Sequence, residues 1–512
     1  MDNTPDILLK IAAERAERVK RKGAAQGLKL PPERELPLVA FTSRRREDSS
    51  LKQNDSRSSN TGDSGLLIAE IKRRSPSKGD IAEIPDPAEL AGSYRDAGFS
   101  RVSVLTEEER FGGSLSDLID VKTAHPELAV LRKDFLLSVD DIDVSWRAGA
   151  DGVLLIAALL EADLLMAMYE RASEFGLSCL VELHSRQDVD KARPFSPILV
   201  GINSRDLRRF KVEPLIPLEI RRFIDWPCDV IYESGIGSVD DALFVRGTGF
   251  SGFLVGEAVA RSPELAAELV SAWGKTDEAR RRFAAWGKLY AGSSPDFPAT
   301  LVKICGITNR ADAEAAVEAG ADMIGFILAE SPRQTSPELI RECADLPVMK
   351  AGVVVLAAGE DLPDDIAALL NEGALDFIQF HGDESAGTVR RWPSYKALRL
   401  RVPDDAGVLD KVGSPAVLVD AFSPEARGGT GKRLDESLVS AALGYRRLWL
   451  AGGLTAENVG TIVSVWKPGL VDVSSGVEIE KGLKDHDKLK RFVAAAKGIK
   501  DGAAEVNKEN EK

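Results

Sequence analysis

The sequence predicts an α/β fold of two (β/α)8 TIM barrels in tandem. Its 512 residues exceed one ordinary domain and suit two domains of roughly 200 to 270 residues. Short apolar runs alternate with amphipathic segments along most of the chain, and each half contains eight such runs. In both halves a glycine terminates each of the last two runs, where barrels often bind phosphate: Gly235, Gly256, Gly453 and Gly476.

The chain begins with a segment that precedes the first apolar run. Apolar side chains recur among charged residues at spacings of three and four, which predicts an amphipathic helix over residues 7–22. They are Leu8, Ile11, Ala12, Ala16 and Val19. Residues 43–65 are polar and poor in apolar side chains, so we predict a mobile surface loop there.

Eight apolar runs in the first half predict parallel strands, because both faces of a parallel sheet are buried. Amphipathic segments separate most of them, as at residues 87–97 and 161–175. Eight βα units in roughly 200 residues favour a closed barrel. A doubly wound open sheet shares the alternation but fits eight units less well. The runs are 66–71, 101–106, 129–133, 152–157, 178–184, 198–203, 229–235 and 252–256.

The second half repeats the pattern after a predicted linker at residues 274–298, which holds a helical stretch (278–290) and then a Gly/Ser/Pro-rich segment. We therefore predict a first domain at 1–273 with an N-terminal helical extension, a second domain at 299–500 and a polar tail at 501–512. The runs of the second half are 301–306, 323–328, 348–355, 377–382, 395–400, 416–422, 448–453 and 471–475.

Composition excludes several functional classes. A hydrophobic content of 44% and a charged content of 29% describe a soluble globular protein. No signal peptide or membrane-spanning run is visible, so we expect a cytoplasmic protein. The cysteines lack CxxC spacing and the four histidines are scattered, which argues against disulfide and zinc frameworks. A net charge of −14 argues against nucleic acid, although not against small anionic substrates.

Charged residues at the predicted strand ends of the first half indicate an acid/base site. Glu70 and Lys72 are two residues apart, so both can point into the barrel mouth. Opposed lysines and glutamates can transfer protons without a metal. Each pair could instead be a structural salt bridge, but five buried charges around one mouth would be costly for structure alone. The other residues of this set are Lys133, Glu182, Asn203, Glu233 and Ser234.

Cys305 and Asp420 end the first and sixth runs of the second half. A lone cysteine on an apolar strand can be an inert core thiol, but its position before Gly306 at the predicted mouth favours a reactive thiolate. Asp420 could instead cap the following loop. An acid and a base on opposite walls suit an isomerisation. His381 could be a structural imidazole, and we expect no metal site.

The first-half motifs IAEIKRRSPSKG, LRKDF, LVELHS, VGINSRDL, ESGI and FLVGEA resemble those of the indole-3-glycerol-phosphate synthase family, in the same order, over about residues 66–262. The resemblance implies that Lys133 and Lys72 are general acids, with Glu182 and Glu70 as acid/base or orienting groups. Asn203 and Arg205 would position the substrate. Phe111 and Phe135 would pack on an anthranilate ring, although a core role stays open for either. The rest of the implied pocket is Glu233 and Ser234, with Ser75, Gly235, Gly256 and Glu257 around phosphate; Ser75 could also be a plain turn residue.

The second-half motifs KICGIT, FIQFHGDE, VLVDAF, LAGGLTAENV and VDVSSGVE resemble the phosphoribosylanthranilate isomerase family over about residues 301–495. The resemblance implies that Cys305 is the general base and Asp420 the general acid of an Amadori rearrangement. Arg333 would hold the substrate carboxylate, with Gln379 and His381 nearby. The implied phosphate site comprises Gly452, Gly453, Ser474, Ser475 and Gly476.

Together the two resemblances imply consecutive steps of tryptophan biosynthesis. The second half would isomerise N-(5-phosphoribosyl)anthranilate, and the first would cyclise the product to indole-3-glycerol phosphate with loss of CO₂ and water. We expect a monomer without cofactor or metal that binds only small phosphorylated substrates. Alternatives are another pair of phosphosugar barrels, such as a Schiff-base aldolase using Lys72 or Lys133, or a scaffold with one inactive barrel. Departures from the family patterns include Arg110 and Leu434.

Overall fold

The structure is a computed structural model that describes residues 6–42, 65–76, 79–206, 211–291, 300–400, 403–421, 436–443 and 448–498. The loop predicted at 43–65, apart from Gly65, and the tail predicted at 501–512 lie outside these residues, as does Leu434. The described chain divides into two compact units, with the boundary after Gly287. Among the described residues, no helix has both the length and the apolar character needed to cross a membrane.

Each unit contains a closed barrel of eight parallel strands, so the prediction of two barrels is confirmed and the open-sheet alternative is wrong. The strands of the first barrel are β1 (Leu66–Ile71), β2 (Arg101–Leu105), β3 (Ala129–Lys133), β4 (Gly152–Ile156), β5 (Ser178–Leu183), β6 (Leu199–Asn203), β7 (Asp229–Glu233) and β8 (Gly252–Val255). Those of the second are β9 (Leu301–Cys305), β10 (Met323–Ile327), β11 (Met349–Val354), β12 (Phe377–Phe380), β13 (Ser394–Leu400), β14 (Val417–Ala421), β15 (Trp449–Ala451) and β16 (Leu470–Val473).

Strand order follows the chain in both barrels, and each first strand closes its barrel by pairing with the eighth. All the sixteen predicted runs correspond to strands, most of which end one or two residues earlier than predicted. Three short antiparallel hairpins extend from strand ends at residues 74–80, 205–212 and 478–484.

Helices connect the strands and cover the barrels. Several begin at a residue whose side-chain oxygen accepts a backbone N–H of the first turn, as at Asp86, Ser114 and Asn309. The helices of the first unit are α1 (Asp6–Lys22), α2 (Pro87–Asp96), α3 (Leu115–Ala124), α4 (Val139–Arg147), α5 (Ala162–Glu174), α6 (Arg186–Ala192), α7 (Ile216–Arg221), α8 (Val239–Gly247), α9 (Glu257–Arg261), α10 (Glu264–Trp273) and α11 (Thr276–Ala291). The second unit contains α12 (Arg310–Glu318), α13 (Pro337–Glu342), α14 (Asp364–Asn371), α15 (Ala386–Arg390), α16 (Glu436–Leu443), α17 (Val459–Trp466) and α18 (His486–Lys497).

Helix α11 lies within the segment predicted as a linker at 274–298 and packs on the first unit. Ala279, Phe283 and Trp286 are buried. A Cβ placed on Gly247 of α8 would lie 2.2 Å from the Ala279 carbonyl oxygen, so this glycine lets α11 approach α8 closely. Arg282 Nη2 also lies 2.7 Å from Asp240 Oδ1 on α8. The apolar spacing predicted the helix, but periodicity alone does not reveal what a helix packs against.

The interior of the first barrel is apolar beneath its mouth. Ile68 of β1 pairs in register with Leu254 of β8, and Leu154 of β4 pairs with Leu180 of β5. All four side chains are buried in one hydrophobic cluster, which also contains Leu8 and Ile11 of α1. The N-terminal helix predicted over residues 7–22 therefore belongs to the core of this unit.

The second barrel carries polar residues at the matching positions, and we call Lys303, Gln379, Tyr395 and Asp472 the interior polar cluster. Lys303 pairs in register with Asp472, and Gln379 with Tyr395, as their counterparts do in the first barrel. Lys303 Nζ donates to Asp472 Oδ2 at 2.8 Å and to Gln379 Oε1 at 2.6 Å. Tyr395 donates its hydroxyl to the same amide oxygen at 2.9 Å.

Candidate active sites

Lys133 is central to a charged network at the mouth of the first barrel. Its Nζ lies 2.9 Å from Glu233 Oε2 and 3.3 Å from Glu70 Oε2. Lys72 Nζ lies 2.5 Å from the other oxygen of Glu70. Burial disfavours the Lys133 ammonium, but Glu233, Glu70 and Glu182 outweigh burial and raise the pKa of Lys133. Burial likewise opposes ionisation of Glu70, while Lys72 and Lys133 lower its pKa. The network therefore holds charged acids and bases side by side.

Glu182 and Glu233 titrate differently although both are buried. Burial would raise the pKa of Glu182, but His184 and Lys133 lower it to about 2. For Glu233, burial and the neighbouring Glu182 raise the pKa to about 7 against the effect of Lys133. Two carboxyl groups in one site thus differ in protonation near neutral pH, as acid/base chemistry requires.

His184 is a site residue that sequence reasoning missed. Its Nε2 lies 2.5 Å from Glu182 Oε1, and Asn203 Nδ2 approaches the same oxygen at 3.4 Å. Asn203 Oδ1 accepts the backbone N–H of Arg205 at 2.9 Å, so the two predicted positioning residues are joined. The available signal was spacing, because His184 follows Glu182 by two residues and so faces the same side.

A cavity of about 490 Å³ opens above this network. Thirteen of the fourteen residues that the sequence predicted for the first site line this cavity. The exception is Glu233, whose Oε2 accepts a hydrogen bond from Lys133 Nζ. The polar residues of this set at the cavity wall are Glu70, Lys72, Lys133 and Glu182, predicted for acid/base chemistry, and Asn203 and Arg205, predicted to position the substrate.

The other side of the cavity is apolar. Phe111 and Phe135 lie with ring centroids 6.2 Å apart, and Ile7, Leu8 and Ile11 of α1 complete this wall. A flat aromatic ligand would be buried between these side chains. The contribution of α1 could not be assigned from its sequence, because an amphipathic helix does not indicate which surface it covers.

Helix α1 is fixed over the mouth by ion pairs. Arg15 Nε lies 3.3 Å from Asp134 Oδ1, and its Nη2 lies 3.1 Å from Asp141 Oδ1. Arg110, a departure from the family pattern, pairs with Glu14 of α1 at 2.5 Å. The departure is thus accommodated by a charge on the helix, away from the acid/base network.

The predicted phosphate residues gather at the end of the cavity formed after β7 and β8. Ser75 Oγ is buried and has no hydrogen-bond partner among the described residues. Ser234 and Gly235 have positive φ values of 68° and 77°. Glu257 lies 3.3 Å from Arg261 Nη1, and Arg261 also lines the cavity. Arg261 offers an anion a cation that the sequence reasoning did not identify.

Glycines on neighbouring strands make room for the reactive side chains. A Cβ on Gly201 of β6 would lie 1.9 Å from Glu233 Oε1, and one on Gly256 would lie 2.7 Å from Glu70 Oε1. In the second barrel, a Cβ on Gly325 of β10 would lie 2.8 Å from Cys305 Sγ. Since real Cβ atoms do not approach other heavy atoms so closely, a side chain at any of these positions would force Glu233, Glu70 or Cys305 to move.

Cys305 ends β9 at the mouth of the second barrel and is 7% exposed. Arg333 lies beside it, since a Cβ on Gly306 would be 2.9 Å from Arg333 Cδ. The Arg333 guanidinium makes two 2.8 Å contacts with Glu478. Lys484 Nζ donates to the Cys305 carbonyl oxygen at 2.7 Å and to Glu478 at 3.0 Å. The structure therefore places two cations around the predicted base.

Asp420 lies on β14, and its Oδ2 is 3.9 Å from His381 Nε2. Gln379 Nε2 is 3.4 Å from His381 Nδ1, and the amide oxygen of Gln379 accepts the two interior donors described above. Gln379, 2% exposed, therefore connects the interior polar cluster to His381. Its oxygen is directed to the interior, so only its amide nitrogen is left on the side of His381.

The predicted phosphate residues of the second barrel lie at the ends of β15 and β16. Gly452 and Gly453 have positive φ values of 94° and 62°. A Cβ on Gly476 would lie 1.9 Å from the Leu454 carbonyl oxygen, so the two loops are in contact. Ser475 begins a short 3₁₀ turn, and Ser474 Oγ is buried without a hydrogen-bond partner in the described part of the chain. The described residues contain no cluster of three or more His, Cys, Asp or Glu side chains placed to hold a metal ion.

Comparison with known proteins adds two family matches. Residues 8–271 match the family model described as indole-3-glycerol phosphate synthase. Residues 302–495 match the family model described as N-(5'-phosphoribosyl)anthranilate isomerase. The two matched segments correspond to the two barrels.

Individual relatives contain both segments or one of them. A multifunctional tryptophan biosynthesis protein of Phycomyces blakesleeanus is 32% identical over 85% of this chain, which spans 63% of that protein. The tryptophan biosynthesis protein TRP1 of Phytophthora nicotianae is 32% identical over 80% of this chain and 87% of its own length. The crystal structure of phosphoribosyl anthranilate isomerase from Thermotoga maritima is 36% identical over 39% of this chain and all of its own, with a TM-score of 0.36.

Proposed function

Because the chain belongs to the indole-3-glycerol phosphate synthase family and carries a phosphoribosylanthranilate isomerase domain after it, we propose that it catalyses two consecutive steps of tryptophan biosynthesis. The observation that carries the proposal is that each barrel has its own set of acid/base side chains at the carboxyl ends of its strands. The product of the second barrel would be the substrate of the first.

In the second barrel, the substrate is N-(5-phosphoribosyl)anthranilate. Asp420 donates a proton to the sugar ring oxygen as the ring opens, and Cys305 accepts a proton from the adjacent sugar carbon. Arg333 binds the anthranilate carboxylate, which takes the place of Glu478 as its partner. The loops after β15 and β16 bind the phosphate through Gly452, Gly453, Ser474, Ser475 and Gly476. The product is 1-(2-carboxyphenylamino)-1-deoxyribulose 5-phosphate.

In the first barrel, this product is cyclised to indole-3-glycerol phosphate with loss of CO₂ and water. The anthranilate ring packs on Phe111 and Phe135, and the phosphate lies near Ser75 and Gly235. Lys133 supplies a proton as the ring closes, because it is the cation that contacts two carboxylates at the cavity floor. Glu182 stays ionised beside it and serves as base or orienting group.

The Schiff-base aldolase alternative needs a neutral lysine amine. Three carboxylates raise the pKa of Lys133, which opposes that state and favours proton transfer. Reduction with borohydride in the presence of substrate distinguishes the two. A substrate adduct on Lys72 or Lys133 would support the aldolase.

The proposal is tested with the purified full-length protein. It should convert N-(5-phosphoribosyl)anthranilate to indole-3-glycerol phosphate without added cofactor or metal. It should also restore growth without tryptophan to two bacterial strains, one lacking the synthase and one lacking the isomerase. Failure in either strain, with soluble protein present, would remove the corresponding half of the proposal.

A monomer in the cytoplasm remains our prediction, because each described site is built from one chain and the proposed substrates are small and water-soluble. Light scattering of the purified protein tests the oligomeric state. A dimer at working concentrations would contradict it.

A further inference from the structure

Lys303 is a buried charge that the proposed mechanism leaves unused. It lies two residues before Cys305 on β9, so both side chains point into the barrel. Its exposed fraction is 0%. A Cβ placed on Gly325 would be 2.8 Å from Lys303 Cε and 2.8 Å from Cys305 Sγ. Cys305 Sγ and Lys303 Cε are therefore separated by at most twice 2.8 Å.

The fold itself does not require a cation at this position. Ile68 occupies the matching point of β1, two residues before Glu70, and its barrel closes with an apolar interior. Burying an ion pair is costly, and an apolar replacement of similar volume is often as stable. Asp472 Oδ1 also has no hydrogen-bond partner among the described residues, so the pair is not fully satisfied. The ammonium group thus needs an explanation other than stability.

We propose that Lys303 is a positioning residue of the second site, whose ammonium group stabilises the thiolate of Cys305 from inside the barrel. This inference rests on the proposed role of Cys305 as general base. A cysteine accepts a proton only as the thiolate, and burial disfavours that form. A cation beneath the sulfur opposes the effect of burial without occupying the space that the substrate needs.

The groups that face Cys305 agree with this role. Burial raises the pKa of the thiol, and Lys303 is the cation that most strongly opposes it. Asp472 acts in the opposite direction but less strongly, and Lys484 assists Lys303. Arg333 and Tyr395 complete the set of titratable neighbours. Lys303 therefore has an effect that its own counter-ion does not cancel.

The test measures the titration of Cys305 in the full-length protein. This measurement does not require the protein to have isomerase activity. Ultraviolet absorbance of the thiolate is recorded against pH, and the curve of the corresponding Cys305→Ser protein is subtracted. We expect Lys303→Met to move the midpoint upward by about one pH unit or more, which reduces the thiolate population about tenfold below the midpoint. Lys303→Arg should keep most of the wild-type midpoint.

A double variant, Lys303→Met/Asp472→Asn, guards against misfolding because it removes the buried ion pair as a unit. It should still have a raised midpoint, since Lys303 outweighs Asp472. Lys350→Met is the matched control. Lys350 is a buried lysine of the same barrel, and within the described part of the chain its Nζ donates hydrogen bonds to the Leu346 and Val348 carbonyl oxygens. Its midpoint should equal that of the wild type.

A wild-type midpoint in the double variant would overturn the inference. The pH profile of isomerase kcat/KM distinguishes a failure of this inference from a failure of the proposed function. If Cys305 is the base, the acid limb of the profile shifts with the midpoint. A shifted midpoint with an unshifted profile would support the role of Lys303 while removing Cys305 as the base.

Discussion

Strand β1 carries Ile68 beneath Glu70, whereas strand β9 carries Lys303 beneath Cys305. The first barrel neutralises its reactive charges at the mouth, where lysines and glutamates contact one another. Its interior can then be apolar. The second barrel presents a single thiol as its proposed base, and charge is supplied from below and from the side by Lys303 and Lys484. One fold thus carries two different distributions of charge around its two proposed proton-transfer sites.

The largest expected effect comes from a substitution in the charged network at the mouth of the first barrel. Lys133→Ala should lower synthase activity by about 10²–10⁴, since it removes a proposed general acid. Isomerase activity of the same protein should stay near wild type, because Lys133 contacts only first-barrel carboxylates in the described structure. Lys20→Ala, at an exposed lysine on α1, is the control and should change neither rate. Full synthase activity in Lys133→Ala would refute the role of this residue.

Cys305→Ala applies the same test to the second mouth. Isomerase activity should fall by about 10²–10⁴, while the synthase keeps its rate. Cys343→Ala is the matched control, because Cys343 is a buried thiol of the same barrel that follows α13. Unchanged isomerase kinetics in Cys305→Ala would reduce that thiol to a core residue and would remove the contrast between the two mouths.

An effect of intermediate size is expected on the stability of the first barrel when it is expressed without the second. A fragment of residues 1–291 should fold and show synthase activity, whereas 1–275 lacks α11 and should be less stable. Burial of one Phe side chain contributes about 1.5–3 kcal/mol, and α11 buries Phe283, Trp286 and Ala279. Urea unfolding of the two fragments measures the difference. Equal urea midpoints would show that α11 adds no stability to the first unit.

The smallest effect concerns pH. The pKa of Glu233 is raised to about 7 in the folded state from an ordinary 4.5, so folding favours its protonated form. Its contribution to stability is fully present below about 4.5 and is lost as pH rises through about 7. The difference in unfolding free energy between wild type and Glu233→Gln should therefore decline over this range. Urea titrations of both proteins at several pH values check the sign, and a difference that grows with pH would contradict it.

The strands could be predicted because buried parallel strands are continuous apolar runs, and so could the position of the proposed acid/base residues at the strand ends. Lys303 was missed although it interrupts such a run two residues before Cys305, a spacing that puts both on one face. Arg261 and Lys484 could not be found in this way. Their positions depend on a helix and a hairpin that follow the eighth strands, and no local pattern fixes where these side chains reach.

Gly201, Gly256 and Gly325 give the two barrels a vulnerability of an unusual kind. Each lies on, or directly after, the strand next to a reactive residue and leaves the volume that this residue fills. A single added methyl group would displace Glu233, Glu70 or Cys305 without altering any atom proposed to take part in proton transfer. A descendant of this chain could therefore lose one proposed activity while retaining every proposed acid and base, and an inspection limited to those residues would misjudge it as functional.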